Sequence, residues 1–137
     1  MADPARKPLD GRLVHIAPML AVANLDRSLA FYRDNLGFEV RDQEAHIALL
    51  IRDAMLLYLA VESPPTPDKP AVTLAAPATP EHTPVCLVLR VTDCLAVHAE
   101  LSERGVSFLT PPMSPPWGGY RCFARDPDRY LVEIEQP

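Results

Sequence analysis

The chain repeats one order of secondary structure. Residues 13–62 contain an alternating apolar stretch, a capped helix and three further strand-like runs, and residues 85–136 contain the same elements in the same order. The letters match weakly, but the order and spacing match well. An internal duplication constrains a fold more than any local propensity does. The sequence therefore predicts an α+β fold with two tandem βαβββ modules, separated by residues 63–84.

Each predicted module contains one amphipathic helix with clear ends. Asn24 and Asp93 are preferred N-cap residues, and Gly37 and Gly105 stand where a helix would end. Apolar side chains recur at helical spacing between these ends, at Leu25, Leu29, Tyr32 and Leu36 in the first helix and at Cys94, Val97, His98 and Leu101 in the second.

The remaining apolar runs alternate with the two-residue period of half-buried strands. In the first module they cover residues 13–22, 38–43, 46–53 and 55–62. In the second they cover residues 85–91, 106–111, 120–126 and 130–136. The last strand is notable because it carries Glu133 among apolar neighbours, which raises the question of what that acid does.

Two segments are rich in proline. Residues 63–84 hold seven of the sixteen prolines, and because proline fixes φ and lacks an N–H, an extended linker is predicted there. Residues 110–120 form the second such segment, which carries the only tryptophan, Trp117, beside two glycines. This segment is predicted to act either as a lid over a bound ring or as an anchor that packs the loop on the sheet.

Composition narrows the class of protein. The chain has 137 residues, one domain's worth, and a formal net charge of −5, which disfavours a nucleic-acid partner bound by bulk electrostatics. Three cysteines, an odd number without a CxxC pair, predict reduced thiols in a cytoplasmic protein. No apolar run is long enough to span a bilayer, and residues 1–12 lack the apolar stretch of a secretory signal, so no membrane partner is expected.

Several of these motifs resemble the vicinal oxygen chelate superfamily, which includes glyoxalase I, extradiol dioxygenases, fosfomycin-resistance thiol transferases and bleomycin-resistance proteins. The resemblance covers about residues 13–136 and rests on "MLAVANLDRSLAFYRDNLGFEV", "LSERGVSFLTPP", "WGGYRCFARDPD" and "LVEIEQ". It implies a glyoxalase/bleomycin resistance/dihydroxybiphenyl dioxygenase-like fold, in which mixed sheets curl round a cavity, usually in a homodimer. It also implies a glycine where Arg129 stands, so either Arg129 has a positive φ at a cost of about 1 kcal/mol or the turn type differs here.

Enzymes of this superfamily hold a divalent metal on equivalent strands of the two modules. Carried over by the resemblance, the four ligand positions fall on Ala17, Tyr58, Cys86 and Glu133. Hard divalent cations need several converging nitrogen or oxygen donors, whereas alanine offers none and a neutral phenol is a poor ligand. The substitutions therefore predict that the metal site is lost and that no cofactor is bound.

"APMLAVAN" and "WGGYRCFARDPD" resemble the metal-free, drug-sequestering branch typified by bleomycin resistance. This resemblance predicts a small-molecule binding protein that serves antibiotic resistance or metabolite sequestration, with an aromatic or cationic ligand at a homodimer interface. The residues predicted to contact the ligand are Met19, Tyr58, Cys86, Arg90, Trp117 and Glu133. Among these, Arg90 lies on the corresponding face of residues 85–91 and is one candidate partner for the Glu133 carboxylate, and a cationic ligand is another.

Two alternatives remain open at the level of sequence. The first is a metal-dependent lyase, isomerase or dioxygenase with a rearranged ligand set of His15, Cys86 and Glu133, although two residues of strand move His15 by roughly 6–7 Å from the ligand position. The second is a metal-free enzyme in which Glu133 acts as a general base in an apolar pocket.

Overall fold

A computed structural model describes residues 3–137 and places the two halves of the chain in two separate sheets. The elements are β1 (Met19–Val22), α1 (Leu25–Asp34), β2 (Glu39–Gln43), β3 (Ile47–Arg52), β4 (Met55–Val61), β5 (Cys86–Arg90), α2 (Cys94–Glu103), β6 (Tyr120–Arg125) and β7 (Leu131–Gln136). The first sheet has the order β1-β4-β3-β2 and the second has the order β5-β7-β6. The pairs β1–β4 and β5–β7 are parallel, whereas β2–β3, β3–β4 and β6–β7 are antiparallel. The predicted α+β fold is confirmed.

Both helices begin and end near the predicted residues. The side chains of Asn24 and Asp93 accept hydrogen bonds of 2.9 and 3.0 Å from backbone amides three residues later, as N-caps do. Gly37 and Gly105 follow the helices with φ of +72° and +88°, a conformation that costs glycine little. Neither helix, within the part of the chain that the structure describes, could cross a membrane.

The first strand is shorter than predicted, because β1 begins at Met19 and not at residue 13. Its parallel partner β4 begins at Met55, and the register pairs Met19 with Tyr58. In this register residues 13–15 lie before the start of β4 and have no strand to pair with. The Pro18 carbonyl accepts a 3.0 Å hydrogen bond from Tyr58 N, but Pro18 has no N–H to donate, so the regular ladder begins at Met19.

The predicted strand at residues 106–111 is also absent as a regular element. The segment that follows α2 touches β6 only through two isolated bridges, Phe108–Ala124 and Met113–Arg121. The two bridges are five positions apart on this segment but only three positions apart on β6. The segment therefore carries extra residues, which include Pro111 and Pro112, and prolines cannot donate to a ladder. The second sheet therefore has three strands with a loosely bridged edge.

The proline-rich segment, residues 63–84, is a hydrogen-bonded loop and not the extended linker predicted from its composition. Ser63 and Leu74 exchange two backbone hydrogen bonds of 2.9 Å. Inside the loop, the Lys69 ammonium donates to two backbone carbonyls, one of them that of Val72 at 3.1 Å. A lysine side chain thus supplies the donors that the prolines lack.

One hydrophobic cluster contains the inner faces of both sheets and both helices. Among its most buried members are Leu20, Tyr32, Leu50 and Leu59 from the first half, and Cys94, Cys122, Val132 and Ile134 from the second. Because side chains alternate along a strand, the other face of each sheet points away from this shared core. These outer faces are where a ligand can reach the sheets.

A tight turn of the second half closes against the first. The backbone N–H of Arg129 donates to the Asp126 carbonyl at 2.9 Å, and Arg129 has φ of +69°, which is the first of the two alternatives expected there. The side chain of Asp128, which lies in the same turn, accepts hydrogen bonds from three groups in or just before the first turns of α1. These are Ala23 N at 2.9 Å, Arg27 Nη2 at 3.0 Å and Ser28 Oγ at 3.1 Å.

Candidate functional site

The outer face of the second sheet is organised around β7, which lies between β5 and β6. Each outward residue of β7 therefore has one neighbour on either side. The three rows are Cys86–Leu131–Arg125, Val88–Glu133–Phe123 and Arg90–Glu135–Arg121. The sheet thus places two carboxylates, an aromatic ring and three arginines on one surface.

Arg121 contacts two aromatic rings and a carboxylate on this surface. Its guanidinium carbon lies 4.8 Å from the centroid of the Trp117 ring and 5.3 Å from that of Phe123. Its Nη1 atom lies 3.7 Å from Oε1 of Glu133, whose side chain is only 16% exposed. Two aromatic faces and a carboxylate therefore surround one planar cation, which is the arrangement that proteins use to hold organic cations.

A cavity of about 200 Å³ opens beside this cluster. Its wall includes Trp117, Gly119, Tyr120, Arg121, Glu133 and Glu135. Trp117 stands at the rim and is 72% exposed, so the indole offers a free face to solvent while the other contacts Arg121. The cavity is thus lined by two aromatic side chains, a cation and two acids, which suits a small polar aromatic molecule better than a purely apolar one.

The loop that carries Trp117 is held close to the end of β7. Gly119 has φ of +71°, and a Cβ added there would collide with the backbone carbonyl oxygen of Gln136. Further back in the loop, Met113 exchanges two backbone hydrogen bonds of 2.9 Å with Arg121. These contacts fix the backbone on both sides of Trp117 and so determine where the indole stands.

The ion-pair partner of Glu133 within the chain is Arg121 and not the candidate Arg90. In the β5–β7 register Arg90 lies opposite Glu135, two residues further along the strand from Glu133. Arg121 was missed at the level of sequence, although the signal was present. The turn at Asp126 sets the hairpin register, which places Phe123 opposite Glu133 and Arg121 on the same face.

Cys86 lies on the same outer face, at the exposed end of β5. Burial first, and the nearby Glu133 carboxylate second, raise the pKa of its thiol above the ordinary value. A thiol with a raised pKa stays protonated at neutral pH, where it is a weak nucleophile and a weak metal ligand. Cys86 lies on the same face as the cavity but is not among the residues that line it.

The other predicted residues lie on the outer face of the first sheet. Met19 and Leu49 flank Tyr58 in the strand register. The Tyr58 hydroxyl and His15 Nε2 are 3.5 Å apart, and the two rings are nearly parallel, with an interplanar angle of 23°. The neighbouring outward side chains of this sheet are apolar and half-buried, at Ile47, Ile51 and Leu56.

The predicted site residues thus form two groups on two different sheets. Met19 and Tyr58 belong to the first sheet, whereas Cys86, Trp117 and Glu133 belong to the second. Since both sheets direct their inner faces to one shared core, a single chain does not bring the two groups together.

The donors of one chain do not fit the metal that the fold class implies. Ala17 offers no ligand atom, and His15 contacts Tyr58, whereas Cys86 and Glu133 stand on the other sheet. Within residues 3–137, no three side chains of His, Cys, Asp or Glu are grouped so that they could hold a metal ion. The rearranged set of His15, Cys86 and Glu133 is therefore not assembled within one chain.

Fold and sequence together define the class of this protein. The model of the Glyoxalase/Bleomycin resistance protein/Dioxygenase superfamily matches residues 12–134, and the chain belongs to that superfamily. Among curated protein sequences, none matches the chain.

Solved structures with this fold include enzymes and antibiotic-binding proteins. Lactoylglutathione lyase from Agrobacterium tumefaciens has a TM-score of 0.70 at 20% identity and covers 95% of this chain and 96% of its own. TnmS3, an antibiotic-binding protein from Streptomyces sp. CB03234, has a TM-score of 0.63 at 23% identity, with 91% and 97% covered. A bleomycin-binding protein in complex with bleomycin has a TM-score of 0.64 at 21% identity, with 91% and 99% covered. At these identities the likeness shows the shared fold.

Proposed function

We propose that this protein binds and sequesters a small aromatic or cationic molecule, such as a metabolite or an antibiotic, without a metal. The observation that carries the proposal is the cavity beside β7, where Trp117, Arg121 and Glu133 converge. Aromatic faces and charges are groups that recognise a ligand, and their use requires no metal. Antibiotic-binding proteins among the structural neighbours show that this fold can serve such a role.

We further propose that the functional unit is a homodimer. The outer face of the first sheet is apolar around Tyr58, with Leu49 and Ile51 on the same side. Exposed apolar sheet faces of this kind mark interaction surfaces. If this face of one copy covers the cavity on the second sheet of another copy, Tyr58 and Met19 complete the wall that Trp117 begins. The two groups of predicted residues then form one site.

The chain is proposed to work in the cytoplasm. All three cysteines are free in the structure, and the sulfur atoms of Cys94 and Cys122 lie 3.8 Å apart without a bond between them. Close unbonded thiols suit a reducing compartment.

A thermal-shift screen of aromatic antibiotics and of divalent metals tests the proposal. A ligand that binds only the native state at a hundred times its Kd stabilises it by about 2.7 kcal/mol, which raises Tm by several degrees in a chain of this size. We expect such shifts with one or more aromatic compounds and none with Mg²⁺, Mn²⁺, Ni²⁺ or Zn²⁺.

Substitutions test whether a compound that raises Tm binds at the cavity beside β7. Trp117→Ala and Glu133→Gln should each weaken the compound's effect at least tenfold in concentration, whereas Arg33→Gln on the exposed side of α1 should not change it. A shift produced by a metal alone and abolished by Glu133→Gln would instead establish the metal-dependent alternative. Analytical ultracentrifugation checks the dimer, which Tyr58→Glu should dissociate.

A further inference from the structure

We propose that Trp117, Phe123 and Glu133 form a binding site for an organic cation, and that Arg121 occupies this site in the empty protein as an internal competitor. A ligand cation would enter by displacing the guanidinium. This inference rests on the proposed function and adds to it the chemical class of the ligand and the residue that sets its affinity.

The surroundings of Arg121 are those of a cation-binding site. The faces of two rings approach its guanidinium, at 4.8 Å for Trp117 and 5.3 Å for Phe123, and a carboxylate approaches from a third side. The negative face of an aromatic ring attracts a cation, and an amidinium, a guanidinium or an arylammonium on a ligand would meet the same attraction. Arg121 therefore shows what kind of group fits between these side chains.

The backbone of Arg121 is fixed, but its side chain is held weakly. The backbone exchanges two 2.9 Å hydrogen bonds with Met113 and pairs with β7 on the other side. The guanidinium, in contrast, is 3.7 Å from Glu133, longer than a direct hydrogen bond, and the side chain is 36% exposed. A long side chain on a fixed backbone can therefore move its charged end without disturbing the sheet.

A second carboxylate is in place to receive the displaced guanidinium. Glu135 lies directly opposite Arg121 in the β6–β7 register, and it lines the same cavity. If Arg121 turns from Glu133 to Glu135, the ligand cation has Glu133 as its partner, while Arg121 shares Glu135 with Arg90, which lies on the other side of that residue. The exchange then costs little beyond the loss of two cation–π contacts.

This arrangement selects ligands by charge. A cation gains both rings and Glu133, whereas a neutral isostere gains only the rings and leaves Arg121 in competition. An anion could pair with Arg121 in its present position, but it would lie beside the carboxylates of Glu133 and Glu135, which repel it. The structure therefore favours planar organic cations over neutral or anionic molecules of the same shape.

The test compares benzamidinium, benzamide and benzoate as probes on the full-length protein. Trp117 is the only tryptophan of the chain, so its fluorescence reports directly on the site, and titration calorimetry provides a second readout. Arg121→Gln removes the competitor, Arg121→Lys keeps a cation but loses the planar stack, and Glu133→Gln removes the carboxylate. Arg33→Gln, on the exposed face of α1, changes the net charge equally at a distance.

We expect Arg121→Gln to bind benzamidinium about tenfold more tightly than the wild-type protein, since a competing cation–π contact and its ion pair are gone. Arg121→Lys should fall between the two, Arg33→Gln should match wild type, and Glu133→Gln should bind at least tenfold more weakly. Circular dichroism and urea unfolding verify that each variant is folded, and Arg121→Lys serves if Arg121→Gln is not.

Other outcomes overturn the inference. Unchanged or weaker benzamidinium binding by Arg121→Gln shows that Arg121 does not compete. Benzoate binding that disappears in Arg121→Gln shows an anion site, and in that case the inference fails while the proposed function stands. Absence of binding by all three probes to every folded variant also overturns it, whereas the proposed function is decided separately by the antibiotic screen.

Discussion

The Tyr32 hydroxyl donates a 2.7 Å hydrogen bond to Oδ2 of Asp126, which joins the helix of the first module to the turn of the second. Both residues are buried, and burial, followed by the charge of Asp126, raises the pKa of Tyr32 well above its ordinary value, so the phenol keeps the proton that it donates. Tyr130, just beyond the turn, donates through its own hydroxyl to the Ala21 carbonyl at 2.9 Å. These two hydrogen bonds therefore attach the turn of the second module to the first module.

The first prediction concerns the other acid of this turn. Asp128→Ala should lower the free energy of unfolding by about 3 kcal/mol, because it leaves the buried Ser28 hydroxyl and the Ala23 amide without an acceptor. Arg27 adds little to this figure because its side chain is half-exposed. Urea unfolding followed by circular dichroism measures the change.

Asp34→Ala is the matched control for Asp128→Ala. Asp34 pairs with Arg33 on the surface of α1, where both side chains are more than half exposed. Exposed pairs of this kind contribute at most about 1 kcal/mol. If the two substitutions lowered the free energy of unfolding equally, the contacts of Asp128 with the first module would not contribute to stability.

The second prediction is a pH dependence that Asp126 imposes on stability. Burial, the largest effect, raises the pKa of its carboxyl above the ordinary value of 3.8, although hydrogen bonds from Tyr32, Tyr130 and Asp128 oppose the shift. The folded state therefore holds this proton more tightly than the unfolded state. The resulting stabilisation is complete below pH 3.8 and is lost as pH rises through the folded pKa.

Comparison with Asp126→Asn isolates this contribution, since the variant keeps the shape of the side chain but does not titrate. We expect the difference in unfolding free energy, wild type minus variant, to be largest in acid, to fall as pH rises above about 4, and then to level off. Urea titrations at a series of pH values measure it. A difference that grows with pH would mean that the hydrogen bonds outweigh burial.

The fold was largely readable from the sequence because the chain repeats itself. N-caps at Asn24 and Asp93, and glycines after both helices, predicted the helices closely. Strands were predicted too generously where alternation had no partner. Residues 13–15 lie before the start of β4, Pro18 cannot donate to the ladder, and Pro111 and Pro112 interrupt the pairing of residues 106–111 with β6. Periodicity indicates which face a residue would take, but pairing requires a neighbour with free backbone groups.

The candidate site was only partly readable. Trp117 and Glu133 were identified singly from their residue types, and the structure places both at one cavity. Arg121, which connects them, required the register of the β6–β7 hairpin, and the stacking of its guanidinium depends on side-chain geometry that spacing does not contain. The separation of Tyr58 from Glu133 likewise depends on how the two sheets share a core.

The third prediction concerns the three thiols. Cys86 is exposed, whereas Cys94 and Cys122 are buried, so a thiol-specific chromogenic reagent should label one cysteine in the native protein and three in denaturant. Burial, with a contribution from Cys94, raises the pKa of Cys122 to about 12, which further protects it. Cys86→Ser should abolish the native labelling.

Glu133 should also control how fast Cys86 reacts. Because the Glu133 carboxylate contributes to the raised pKa of Cys86, Glu133→Gln should increase the labelling rate a few-fold near neutral pH. Glu81→Gln, in the proline-rich loop, is the control with the same loss of charge. Labelling at equal rates in both variants would place Glu133 too far from Cys86 to act on it.

The fourth prediction compares the two glycines after Trp117. Gly118 and Gly119 both have positive φ, at +96° and +71°, so alanine at either position should cost about 1 kcal/mol from backbone conformation alone. At Gly118 the added methyl group meets open space, whereas at Gly119 it meets the carbonyl oxygen of Gln136, which pairs with Tyr120. Gly119→Ala must therefore displace either the loop or the end of β7.

Urea unfolding should show the larger loss of stability for Gly119→Ala, and Trp117 fluorescence should change in that variant but not in Gly118→Ala. If both variants keep the wild-type emission spectrum, the position of the indole does not depend on the close approach of this loop to β7.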